Sequence, residues 1–381
     1  MNNNTFLRLI SLIGLCGAMV FMRGSVVFGA TENTTITIPQ PEASPKVSNS
    51  GVITNLTVPR YRYGSPRFGR FVSESLQMGK MGSARNFYEW MDVAYRKSHV
   101  KLPGGDDLEL GAALRLNERR LDDIPDIMQK ADAQVEIAAQ VHKLIKAIIP
   151  KFSLDRGFEF RNVMKTGERQ CFLQSVLIAG LLQSMGVDAG VAMVYKNEQG
   201  QETNNGHAVT LVKLPNGRDI LVDASEKEPF AQHKGLFVRC ADYKYVDPVY
   251  ENDSPKIRYY VSASENENQA TSKVHPLDTA FLDSQFWYYR GERAVGGLLS
   301  AKRTKAGLAA AGHALRMGLR FSTNNPLSVY MLGRVYLAQG KSDEAREYIQ
   351  KGYKLYERFG WIPEGPREYY RRMSAKSGGA H

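Results

Sequence analysis

The apolar positions change their period along the chain, and the changes mark out its elements. Between 135 and 149, Val135, Ile137, Ala138, Val141, Leu144, Ile145 and Ile148 recur at helical intervals. This predicts an amphipathic helix with one face in a core, ended by Pro150. Residues 171–185, CFLQSVLIAGLLQSM, are apolar nearly all round, which predicts a buried helix stopped at Gly186. The period then shortens. Residues 187–195 (with GVAMVY) and 207–214 (HAVTLVKL) read as strands joined by a polar loop at 196–206. Pro215-Asn216-Gly217-Arg218 carries the Asn-Gly signal of a hairpin turn, and 219–222 (DILV) begins a third strand that ends at Asp223. A buried helix followed by three strands predicts an α+β layout with an antiparallel sheet.

The flanks read differently. Residues 83–95 predict a short helix capped by Ser83, and 106–149 are helical in pattern. Residues 251–276 are polar and irregular, as expected of a linker. Beyond them, 301–320 and 327–356 suggest an internal helical repeat. At a period of 34, Ala311 matches Ala345, Leu315 matches Ile349 and Gly318 matches Gly352. With Leu332, Gly333 and Tyr336, the second copy resembles a tetratricopeptide repeat. The first copy is poor before Ala306, and a closing helix is expected near 364–373. The expected organisation is therefore a leader at 1–30, a flexible linker at 31–58, a helical extension at 59–130, an α+β domain at 131–250, a linker at 251–276 and helical repeats at 277–375.

Composition narrows the class. Apolar residues are 43% and charged residues 23%, ordinary for a globular chain with a sizeable core. The apolar run 9–22 follows Arg8 and precedes Gly29 and Ala30, which predicts export with cleavage near those residues. Uncleaved, the same run would tether the protein to a membrane, although it is short for a span. Residues 31–58 are rich in Thr, Asn, Ser and Pro and are expected to be flexible. Asn-x-Ser/Thr triplets begin at Asn33, Asn55 and Asn252. Without the leader, 48 basic residues stand against 39 acidic ones, which favours anionic partners. The basic residues are scattered, with no zinc-finger spacing and no basic helix bearing stacking aromatics, so nucleic-acid binding is not expected. Nor is a metal or cofactor: no acidic cluster has calcium-loop spacing.

Acyl transfer through a thiolate requires an ionised sulfur, a base within hydrogen-bond reach, and a group that fixes the base in one tautomer. Cys171 opens the apolar helix after 165–169 (KTGER), read as non-helical. At that end, unpaired N–H groups and the helix dipole favour negative charge, and Arg169 adds positive potential. His207 begins its strand after Gly206, which puts its ring at the sheet's edge. Asp223 ends the next strand. Because 207 lies about ten residues before the turn centre and 223 about six after it, a bulge or bent strand is expected to bring them together. Asp219 competes as orienter. His142, His233, His275 and His313 lack the strand-start position of His207. The plain alternatives are a buried structural cysteine or a Cys171–Cys240 disulfide.

Order and spacing over residues 134–226 resemble the transglutaminase-like superfamily of cysteine hydrolases and transferases. The matching residues are Gly167-Glu168-Arg169-Gln170-Cys171 before an apolar helix, Leu182-Gln183-Ser184-Met185-Gly186-Val187 at its exit, His207-Ala208 opening a strand, and Leu221-Val222-Asp223 closing one. Val209 and Ala224 stand where members commonly have an aromatic residue and a proline. The resemblance implies a papain-like core with Cys171 as nucleophile, His207 as base and acid, and Asp223 as orienter. The Cys171 N–H and the Gln170 side chain are the oxyanion candidates. Gln174, one turn along the helix, is the candidate to line a substrate site. A protein or peptide substrate is expected, with proteolysis or deamidation as the reaction. The alternative is an inactive relative that binds a protein partner with its repeats.

Overall fold

The structure is a computed structural model that describes residues 60–378, without the side chains of residues 204–205 and 373–378. The expected leader and linker and the triplets at Asn33 and Asn55 lie outside the described residues.

Four helices come first: α1 (Pro66–Met78), α2 (Ala84–Lys97), α3 (Leu110–Asp122) and α4 (Ile127–Ile148). Their starts are set locally. Ser65 accepts from the Phe68 N–H, Ser83 and Asn86 form a capping box, and Asp126 accepts from the N–H groups of Met128 and Gln129. The α4 helix buries Ile137, Ala138, Val141, Leu144, Ile145 and Ile148 of the stripe expected from its period, while Val135 is half-buried. Two short parallel strands follow, β1 (Lys151–Phe152) and β2 (Glu168–Arg169), with α5 (Phe160–Thr166) between them. Lys165 and Thr166 are thus helical, and the non-helical approach to Cys171 begins only at Gly167. Then comes α6 (Cys171–Ser184), buried at every position from Cys171 to Gln183.

The sheet is larger than the three expected strands. It contains β3 (Asp188–Lys196), β4 (Glu202–Lys213), β5 (Asp219–Val222), β6 (Gly235–Arg239), β7 (Tyr243–Tyr250), β8 (Ile257–Ser262) and β9 (Asn268–Ala270). The order is β5-β4-β3-β6-β7-β8-β9, and a further β5–β8 pairing at Asp219 and Ile257 closes the first six into a barrel. Ala192, Val194, Val209, Leu211, Leu221, Leu236, Val238, Val246, Ile257 and Tyr260 belong to one apolar cluster. Their strand neighbours Val191, Met193, Ala208 and Val212 pack in the main core with the helices. Strands buried on both faces read as continuous apolar runs, which is why β3 shows no alternation. The expected linker at 251–276 instead supplies β8, which closes the barrel. Its polar surroundings hid a strand whose buried residues are Ile257, Tyr260 and Ser262.

Five helices complete the fold: α7 (Thr279–Glu292), α8 (Lys305–Phe321), α9 (Pro326–Ala338), α10 (Ser342–Phe359) and α11 (Glu364–Gly378). The α7/α8 and α9/α10 pairs are equivalent at their closest points. A Cβ at Gly291 would lie 2.7 Å from Leu315 and 3.1 Å from the Ala311 carbonyl. A Cβ at Gly333 would lie 2.7 Å from Ile349 and 3.1 Å from the Ala345 carbonyl. The matched residues of the 34-residue period are therefore the contact residues of two helix pairs. The first copy looked poor before Ala306 because its leading helix is α7, separated from α8 by a longer connection than that between α9 and α10.

Nor does a separate body begin at residue 131 or 277. The described residues belong to one compact unit. An aromatic series crosses those boundaries, from Phe68 to Phe160 (5.8 Å between ring centres), to Phe286 (6.0 Å), to Phe172 (4.8 Å). Ion pairs reinforce it: Arg70 meets Asp283 at 2.9 Å, and buried Arg290 meets both Glu74 and Glu159 at 2.9 Å. Residues 60–130 thus brace α6 and α7. Among the described residues no helix is long and apolar enough to cross a membrane.

Candidate active site

Cys171 is the first residue of α6, and Gln170 is its N-cap. Two hydroxyls fasten this end of the helix to β4. Ser175 Oγ has the carbonyls of Cys171 and Ala208 within reach, at 2.8 and 3.1 Å, and Thr210 Oγ1 donates to the Ser175 carbonyl at 3.1 Å. The sulfur is therefore held beside the residues next to Ala208. Cys171 Sγ donates to the Gly206 carbonyl at 3.6 Å, which places the thiol beside the residue that precedes His207.

His207 does not start its strand. β4 begins at Glu202, and His207 pairs with Val194 of β3. On the other side of β4, pairing with β5 begins only at Thr210, so His207 sits where the neighbouring strand has ended. The β4–β5 register runs from Lys213 opposite Asp219 to Thr210 opposite Val222 without irregularity. Continued by one step, it sets Val209 opposite Asp223 and His207 on the same face, one diagonal away. Diagonal partners lie about 7–8 Å apart between Cα atoms, a gap that an imidazole and a carboxylate span. The β4–β5 ladder is regular, the irregularity lies in the β3–β4 pairing beside His207, between Val194 and Lys196, and His207 Nε2 lies 2.6 Å from Asp223 Oδ2.

Asp223 is fully buried. Its Oδ1 accepts from the Ser225 N–H at 2.8 Å, and its Oδ2 has a second imidazole partner, His233 Nε2 at 2.9 Å. An ionised carboxylate only accepts, so both Nε2 atoms carry hydrogen, and His207 Nδ1 is the nitrogen left for the sulfur. Burial alone would raise the Asp223 pKa. The hydrogen bonds from His207 and His233 and their charges outweigh it and hold the carboxyl below its usual range. For His207, burial alone would lower the pKa. The hydrogen bond with Asp223, its charge and the nearby Cys171 outweigh it and hold the imidazole well above its usual range. Asp219 is not the orienter: its carboxylate meets Lys213 and Tyr260, both at 2.7 Å.

The two glutamines have different places. Gln170 is buried, and its Oε1 has no hydrogen-bond partner among the described residues. Gln174, expected to line a substrate site, is fully buried. It accepts from Arg169 Nε at 2.9 Å and donates to Ser225 Oγ at 2.8 Å, while Arg169 also donates to the Ala224 carbonyl at 3.2 Å. Gln174 and Arg169 thus tie the start of α6 to the loop that carries Asp223. Cys171 and Cys240 are both free thiols, so no bridge joins them.

Two residues that sequence reasoning passed over complete the site. Tyr289 of α7 donates to the Gly206 carbonyl at 3.0 Å, so phenol and thiol converge on one oxygen. The sequence by itself gave it no role. His233 lies ten residues beyond Asp223 in an irregular segment before β6, with no local signal. His207, Asp223 and His233 offer one donor atom each within 4.8 Å of one another, a set that could also hold a divalent metal. Both nitrogens meet one carboxylate oxygen at hydrogen-bond length, which accounts for the cluster without an ion.

Compared with known proteins, the chain matches no family model, and no curated protein matches it significantly.

Proposed function

We propose that this chain is an exported cysteine acyl hydrolase or transferase of the transglutaminase-like kind, with a papain-like core around α6 and the barrel. The carrying observation is the 2.6 Å contact of His207 Nε2 with the buried Asp223 carboxylate, next to Gly206, whose carbonyl lies 3.6 Å from Cys171 Sγ. In this reading His207 Nδ1 takes the proton of the Cys171 thiol, and the sulfur attacks an amide carbonyl carbon, so that a sulfur–carbon bond forms. The oxygen takes up negative charge near the Cys171 N–H at the start of α6. His207 gives its Nδ1 proton to the leaving nitrogen, and the carbon–nitrogen bond breaks, leaving a thioester. Water, deprotonated by His207, then attacks the thioester and releases the acid and the thiolate. An amine in place of water would give a cross-link. Asp223 keeps the imidazole in one orientation throughout.

The test uses glutamine-containing peptides, with mass spectrometry for cleaved or deamidated products and an assay for released ammonia. Product from the native protein and none from Cys171→Ala supports the reading. Equal product from both sinks it.

One observation favours the non-catalytic alternative, a binding module with helical repeats of tetratricopeptide type. Cys171 is only 2% exposed, beneath the Gly206 carbonyl and Tyr289. Alkylation separates the two: rapid labelling of Cys171 that is lost in His207→Ala supports the enzyme, and slow labelling in both supports the binding module.

A further inference from the structure

We propose that His233 is a positioning residue of this site, holding the Asp223 carboxylate in place for His207. The inference rests on the triad reading above. Three observations carry it. His233 Nε2 meets Asp223 Oδ2 at 2.9 Å, the same oxygen that His207 meets at 2.6 Å. The His233 side chain is 5% exposed against 25% for His207, so its imidazole is committed to the interior while His207 reaches solvent. Its Nδ1 has no hydrogen-bond partner among the described residues. The interaction with Asp223 is therefore the polar contact that accounts for an imidazole at this buried point.

The geometry explains what the contact does. Asp223 follows the last residue of β5, where ladder pairing no longer fixes it. Its loop is tied down by the Asp223 N–H to the Pro229 carbonyl at 3.1 Å and by Arg169 and Gln174 at Ala224 and Ser225. These bonds fix the backbone, and the Ser225 N–H fixes Oδ1. His233 is the group besides His207 that fixes Oδ2. Without it, the oxygen that orients His207 would depend on His207 itself. The backbone holds His233 from the other side, through Tyr250 Oη donating to its carbonyl at 2.7 Å. The other titratable or charged groups facing Asp223 and its loop are His142 and Lys146 of α4, Arg169 of β2, and Glu226 and Glu228 of the loop. Of these, none replaces His233 at Oδ2 in the structure.

The experiment measures the rate of Cys171 alkylation by iodoacetamide near neutral pH in the full chain, with thermal unfolding as the check on folding. His233→Phe keeps the ring volume and removes the donor. His233→Gln keeps a donor, and His233→Asn is a smaller donor-bearing variant should Gln fail to fold. Loss of one hydrogen bond to a charged group predicts labelling slowed about tenfold or more in His233→Phe. Labelling within about threefold of the native rate is expected in the donor-bearing variant. A folded His233→Phe that labels at the native rate overturns the proposal. So does a folded donor-bearing variant as slow as His233→Phe, because ring packing alone would then explain the residue. If native Cys171 labels no faster than Cys240, the triad reading itself fails before any His233 variant is compared.

Discussion

His207 Nε2 lies 2.6 Å from Asp223 Oδ2, although the β4–β5 ladder ends one residue short of Asp223, at Thr210 opposite Val222. The pair forms because β5 stops at Val222 while β4 continues, so the imidazole swings over the end of the shorter strand. The first prediction follows from the charge of Asp223. Asp223→Asn keeps shape and removes the charge that holds the His207 imidazole up. The upper limb of the alkylation–pH profile is then expected to move to lower pH, because the imidazolium loses its proton sooner. The rate at neutral pH is expected to fall roughly 100-fold or more. An unshifted profile would remove Asp223 from the site.

Tyr289→Phe removes the hydroxyl that holds the Gly206 carbonyl over the sulfur. With one neutral hydrogen bond lost, worth about 1 kcal/mol, Cys171 alkylation is expected to accelerate about fivefold. Unchanged labelling would show that the phenol does not restrict access.

Asp283 joins α7 to α1 through Arg70, and burial, opposed by Arg70, pushes its carboxyl up to about 7. The unfolded value is about 3.9. The folded state thus holds the proton longer, and the contribution of Asp283 to stability is present below about pH 4 and lost as pH rises toward 7. Melting temperature measured across this window is expected to decline less steeply in Asp283→Asn. Equal slopes would contradict the assignment.

Gly291→Ala and Gly333→Ala each insert a Cβ 2.7 Å from a packed side chain of the facing helix. Each is expected to lower stability by about 1–3 kcal/mol in chemical denaturation. Similar losses are expected because the two sites are equivalent in the two helix pairs. A neutral result at either would show that its helices separate without cost.

The chain's own pattern determined α6, because a helix apolar on every side has nowhere to go but the core, and it placed Cys171 at that helix's first turn. It also determined the Asn216-Gly217 hairpin. The register that brings His207 near Asp223 was set by the β4–β5 ladder, because strands buried on both faces carry no alternation to fix it. The closure of the barrel by β8, the role of α7 as the leading helix of the first pair, and the arrival of Tyr289 and His233 at the site were decided by tertiary structure. Each depends on contacts between residues far apart in sequence. Locally, Tyr289 reads as one more aromatic on a buried helix, and His233 as one histidine in an irregular segment. Only the packing of α7 against α6, and of the segment before β6 against the end of β5, turns those residues toward Cys171 and Asp223.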